Sequence, residues 1–428
     1  MLKGIVNAFR IKELRDKILL TLGILVLYRI GSHVPVPGIP FTGMLAAYQN
    51  ASSNASFISV LDLFSGGALS RVSVFCLGIM PYITSEIIMQ MMQTVIPSLG
   101  ELAKEGEAGQ RKVTQYTRYL TIGLATVSAI GYLFLFKSAS FGISFATAGA
   151  PELLMDTVVV VTMVTGAVLI MWLGEVITQR GIGNGMSLII FTNIISGLPA
   201  SLTATIASSN TGFVMAIVTV LVICAVIPFI VYIERGQRRI PVQYAKRMVG
   251  RKMMGGQTTY LPIKVNTAGV VPIIFASAIL YLPAQLAVFF PNVGWINGFA
   301  NAISSGWINW LLSVLLIVFF AYFYTAMVFN PDETADNLRK QGGFIPGVRP
   351  GSATAAYIKN TLSHITLPGG IFMALVAIVP SIVFAFTSNE LIRAFGGTSV
   401  LIMVGVALDS ISQLESQLKM HNYEGFFK

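Results

Sequence analysis

The sequence predicts an all-α integral membrane protein that crosses the bilayer ten times in two five-helix halves. Three observations carry this expectation. Charged residues make up 11% of the 428 residues, and mean hydropathy is +0.75; a soluble domain carries roughly 25% charge. Apolar runs close to the roughly 20 residues that a span requires recur ten times, near 18–37, 75–97, 119–136, 153–173, 185–205, 213–233, 269–290, 307–329, 368–387 and 398–414. By this map the tails and the second, fourth, sixth and eighth loops hold 24 of the 28 Lys and Arg residues. The positive-inside rule puts those segments, and both termini, in the cytoplasm.

Residues 1–17 read as a basic, amphipathic cytoplasmic N-terminus. The run after them contains Arg29 and lacks a small-residue cleavage site, so it reads as a first span and not a signal peptide. The stretch FSGGALSRVSVFCLGIMPYITSEIIMQ, residues 64–90, is divided. Its first part, with Gly66, Gly67 and Arg71, is too polar for lipid and too apolar for an ordinary wet loop. Its second part reads as a helix from Phe75 onward, carrying Glu86, Gln90 and, just beyond, Gln93. Pro81 within it would remove a helical hydrogen bond and permit a bend. The second, fifth and tenth runs are weak by hydropathy, which suits helices that face protein or water.

A short loop at 206–212 separates the N-terminal half, 18–205, from the C-terminal half, 213–414, which is followed by a tail at 415–428. An odd number of spans per half gives repeated halves opposite topology. Pro81 in the second span is echoed by Pro272 in the seventh, and GNGMSLII in the fifth by GGTSVLIM in the tenth. These echoes suggest an inverted repeat with its working site at the interface.

Two cytoplasmic loops stand apart. The loop 234–268 holds eight basic residues, including Arg238, Arg239, Lys246, Arg247, Arg251 and Lys252, against one acid, Glu234. The loop 330–367 contains GGFIPGVRPG, a stiff, tightly turned tip bearing Arg349. Topology and anionic lipid alone can favour a basic loop. A long basic loop beside a sculpted, Arg-bearing turn better suits docking of an acidic partner or RNA phosphates.

Catalytic chemistry finds little footing. Cys76 and Cys224 sit in apolar runs without metal-ligand spacing, and His33, His364 and His421 are scattered near span ends. There is no HExxH, no base for an intramembrane serine protease, and no Walker A lysine after GNGMS. A conduit with no cofactor or metal is the expectation. A secondary transporter of a small solute is the alternative of a different class; it would need paired intramembrane charges, and only Glu86 and Arg29 present themselves.

Four motifs, FSGGALSRVSVFCLGIMPYITSEI, GEVITQRGIGNGMSLIIF, YAKRMVGRK and GFIPGVRPG, together resemble the SecY family of protein-conducting channels, and the likeness runs span for span along essentially the whole chain. The resemblance implies an hourglass pore between two inverted halves, stopped by a re-entrant plug helix. The plug would span about 57–74, including Phe64, Ser65, Gly66, Gly67, Ala68, Leu69, Ser70 and Arg71, with Arg71 tolerated because the funnel is wet. It implies a pore ring of Ile79, Ile83, Met186, Ile190, Ile274 and Ile402, with Met186 replacing the family's usual isoleucine. A lateral gate between the second and seventh spans would open to membrane lipids and admit signal peptides, with Gln90 and Gln93 on its wall. The implied partners are the small membrane subunits SecE and SecG, the motor ATPase SecA, the ribosome and unfolded preproteins. Arg349, Arg238, Arg239, Lys246, Arg247, Arg251 and Lys252 would receive the motor or the ribosome. A bacterial plasma membrane is the implied location.

Overall fold

The protein is described by a computed structural model covering residues 9, 11–37, 65–137, 151–207, 212–244, 247–249, 252–254, 258–289, 293–304, 306–387 and 396–424. The described residues contain ten long helices where the ten apolar runs lie. In the N-terminal half these are α1 (Lys12–Gly31), α2 (Met80–Val95), α4 (Glu107–Lys137), α5 (Glu152–Arg180) and α6 (Gly185–Ala207). In the C-terminal half they are α7 (Gly212–Glu234), α8 (Val271–Phe289), α10 (Gly306–Val328), α12 (Ser352–Thr387) and α13 (Gly397–Glu424). Seven are long and apolar enough to cross a membrane by length and composition. Short helices α3 (Pro97–Lys104), α9 (Gly294–Ser304) and α11 (Pro331–Lys340) lie between them. Asn330 caps α11 by accepting from the Asp332 and Glu333 amides, which its short side chain can reach.

The two halves meet along two seams. On one, α6 packs against α7 and α13; on the other, α2 and α4 pack against α8. A continuous apolar core lies between them, drawing Ile79 from the turn just before α2, Ile83 from α2, Ile190 from α6, Ile274 from α8 and Ile402 from α13. Around its rim the lipid-sized faces stay apolar and exposed, as Leu221, Val222 and Phe229 do on α7, which suits a hydrocarbon solvent.

The repeat echoes gain a structural form. Gly78-Ile79-Met80-Pro81 and Gly269-Val270-Val271-Pro272 each begin with a glycine at positive φ, 59° and 61°, and each puts proline at the second residue of its helix. Likewise α6 starts at Gly185 and α13 at Gly397, which aligns Ile190 with Ile402.

Two expectations need correction. The second span does not become helical at Phe75: residues 66–79 run as turns through Gly66, Gly67, Val72 and Gly78 at positive φ. Pro81 therefore lies in the first helical turn, where no intrahelical partner awaits its missing N–H; it starts the helix and does not bend it. The first span ends at Gly31 and not near 37, because the chain turns at Ser32 and Pro35 bridges to Ser73.

The loop 234–268 also holds structure that an all-helical reading leaves out. Strands β1 (Gln237–Tyr244) and β4 (Thr258–Lys264) pair antiparallel, and β5 (Gly343–Phe344), from the loop 330–367, adds to the other edge of β1. Strands β2 (Arg247–Val249) and β3 (Lys252–Met254) pair antiparallel as a separate two-strand ribbon. Ile240 and Ile263 of this sheet, and Ile345 just after β5, pack on Ile358 and Leu362 of α12, so the two loops form one small body rooted on a spanning helix.

Candidate functional site

Helix α6 orders the site. Starting from its sheet-side end, Asn184 and Ser187 line an open cavity of about 950 Å³. Met186 and Ile190 come next in the apolar core, and Asn193, one turn further on, touches Gly66. Two other helices repeat the order. Val271 of α8 lines the cavity and Ile274 lies in the core; on α13, Val406 and Asp409 line the cavity, and Ile402 lies in the core. A polar cavity, an apolar collar and a tightly turned segment thus stack along shared helices.

All six residues expected to form a ring are at most 8% exposed and belong to one cluster. They come from both halves, so parting the halves parts the collar. Met186 differs from the others: its sulfur abuts Gly174 of α5, where a Cβ would displace it.

The turned segment is firmly seated. Arg29 Nη1 donates to the Gly66 carbonyl at 2.7 Å, the Val36 amide to the Val72 carbonyl at 3.0 Å, and the Val74 amide to the Val34 carbonyl at 2.9 Å. Within it, Ser65 Oγ accepts from the Leu69 amide and Ser70 Oγ donates to the Gly67 carbonyl. Ser65, Gly66, Ala68 and Leu69 are buried. A Cβ on Gly66 would lie 2.5 Å from Asn193 Oδ1, and its φ of +68° independently favours glycine. Phe75 stacks on Tyr28 at 5.5 Å and fills the space that Gly31 leaves open. Arg71 does not rely on water alone, since its guanidinium reaches His33 Nε2 at 2.7 Å. Phe64 and the rest of 57–64 lie outside the described residues.

On α2, Gln90 Nε2 donates to Glu86 Oε1 at 3.4 Å, and Gln90 Oε1 is buried without a hydrogen-bond partner among the described residues. Gln93, on the same helix, is half-buried. At the sheet, Arg238, Arg239 and Arg349 are exposed. Arg247 and Lys252 start β2 and β3, while Lys246 and Arg251 lie outside the described residues.

Sequence reasoning missed the ion pairs. Arg118 of α4 makes a bidentate bond to Glu175 of α5, at 2.9 and 2.6 Å, and Lys137 bonds Asp156 at 2.6 Å and Glu152 at 2.9 Å. They fasten α4 to α5, and none of the five residues lines the central cavity. A basic residue on one helix and an acid at a matching depth on the next was the available signal.

Comparison with known proteins agrees with this geometry. The family model described as SecY matches residues 73–411. A protein translocase subunit SecY of Streptomyces coelicolor is 46% identical, with all of both chains covered. Among solved structures, one described as that of a protein conducting channel shares the fold with TM-score 0.65 and 20% identity, covering 93% of this chain and 91% of that one. Another, titled for a plug domain of the SecY protein that stabilises the closed state of the translocation channel, gives TM-score 0.62 at 19% identity, with the same coverage. Full-length identity to a translocase subunit and a family match over most of its length lead to one conclusion: this chain belongs to the SecY family.

Proposed function

We propose that the chain is the pore-forming subunit of a protein translocase, and that an unfolded preprotein passes from the cavity through the collar while the segment 57–74 moves aside as a plug. The observation that carries this reading is the stacking of cavity, collar and seated segment along α6. An aliphatic collar stays dry, so an ion entering it would lose its hydration shell without replacement. Unbranched and branched aliphatic side chains can also close around whatever residue is passing. The ring is read as Ile79, Ile83, Met186, Ile190, Ile274 and Ile402.

The sideways exit is read as the seam where α2 meets α8. An apolar signal peptide could part these helices and partition into lipid, with Gln90 and Gln93 bordering the path. The sheet side is read as cytoplasmic, since the basic residues gather there, and the membrane as a bacterial plasma membrane. SecA or a ribosome would dock on the sheet through Arg238, Arg239, Arg247, Lys252 and Arg349, and SecE and SecG would complete the complex.

The test is reconstitution. The chain should co-purify with a small helical membrane protein, and vesicles holding the complex and a motor ATPase should protect a preprotein from added protease. Vesicles that instead take up a small solute by exchange, and protect no preprotein, would sink the reading.

A further inference from the structure

Tyr28 and Asn193 belong neither to the ring nor to the plug segment, yet they face each other where the two meet. Tyr28 is fully buried at the C-terminal end of α1, and its hydroxyl donates to Asn193 Oδ1 at 2.8 Å. Asn193 is 1% exposed, and its Oδ1 is also the atom nearest to where a Gly66 Cβ would lie. The next residue of α1, Arg29, donates to the Gly66 carbonyl at 2.7 Å. The Tyr28 ring stacks on Phe75, nine residues further along the same segment. Thus α1 holds the segment at its carbonyl and at its aromatic ring, while the Tyr28 hydroxyl fixes the amide of α6 against which Gly66 rests.

We propose that Tyr28 and Asn193 form a polar latch that seats residues 65–75 against the pore helix and so sets how strong a signal sequence must be to open the channel. Asn193 stands one helical turn from Ile190, so widening of the collar at α6 displaces the amide that Tyr28 holds. Conversely, an intact Tyr28–Asn193 bond resists that movement. Both are positioning residues; the moving part is the segment they seat. The inference rests on reading that segment as the plug.

Tyr28→Phe deletes one hydroxyl and leaves the Phe75 stack in place. A net intramolecular hydrogen bond is worth a factor of roughly 2 to 12 in an equilibrium, so the closed state should be disfavoured by that factor. Cells depending on the variant would be scored for export of a reporter whose signal core is interrupted by one charge, relative to the same reporter with an intact core. Asn193→Ala serves as a second variant, and the double variant should export the weak reporter no better than either single. A further chain, with 65–71 replaced by an equal-length glycine–serine stretch, is combined with Tyr28→Phe. The latch predicts a roughly 2- to 12-fold rise in weak-signal export for Tyr28→Phe, absent once 65–71 is replaced. No rise in either single variant, with intact-signal export normal, overturns the latch but leaves the plug reading standing. An equal rise in the replaced chain also overturns it. No effect of the replacement itself overturns the plug reading, and the latch with it.

Discussion

Ile190→Asn is the sharpest perturbation of the collar. Ile190 is 1% exposed and lies in the apolar cluster with Ile79, Ile83 and Ile402. Replacing it forfeits about 1.5–3 kcal/mol of side-chain burial and leaves an amide without partners, costing about 1–3 kcal/mol more. Both penalties fall on the closed, dry state and are relieved where water enters. At the lower end, roughly 2.5 kcal/mol, the balance moves about sixtyfold toward open pores. Ile190→Leu keeps volume and polarity, so it should cost below about 1.5 kcal/mol and serves as the control. The assay is resting conductance of the purified complex in planar bilayers, paired with export of a preprotein bearing a weakened signal. The asparagine variant should leak and accept the weak signal, and the leucine variant should do neither. An asparagine variant as tight and as selective as its parent would refute the argument that dryness at this position makes the seal.

Two further outcomes follow from individual contacts. Arg349→Glu should abolish motor-driven preprotein transport while complex assembly is unchanged, because the side chain is exposed and the local turn is held through the Arg349 carbonyl, which accepts from Thr354 Oγ1; normal transport in reconstituted vesicles would count against the docking site. Gly31→Ala puts a methyl group into the Phe75 ring; overpacking of this kind costs about 1–3 kcal/mol, so the purified complex should melt earlier, and pairing it with Phe75→Leu should restore the melting temperature.

The long helices were legible because a window of apolar residues is a strong signal: among the described residues a long helix lies in each of the ten windows, and seven of these are long and apolar enough to cross a membrane. The choice of ring residues came only from the resemblance, since Ile83 or Ile402 alone is indistinguishable from ordinary packing. What escaped was local backbone geometry and long-range pairing. Pro81 looked like a kink because the turn ending at Gly78 does not register in hydropathy. In β1, the alternation that buries Ile240 and Val242 is a period-two pattern, but it was obscured by Arg238, Arg239 and Pro241. Its partner β5 arrives from about 100 residues later, and no local pattern announces such pairing. The Tyr28–Asn193 bond spans 165 positions and depends on packing that only the assembled helices create.

The most direct test of the central claim stalls a preprotein in transit and asks what it touches. Single cysteines at positions 83, 190, 274 and 402, on helices from both halves, would be challenged with a photoreactive or thiol-reactive probe on the trapped chain. Crosslinks at all four positions, and none at lipid-exposed positions such as Leu221 and Phe229, are the predicted result. A stalled chain that reacts with the outer positions and spares the collar would contradict the account.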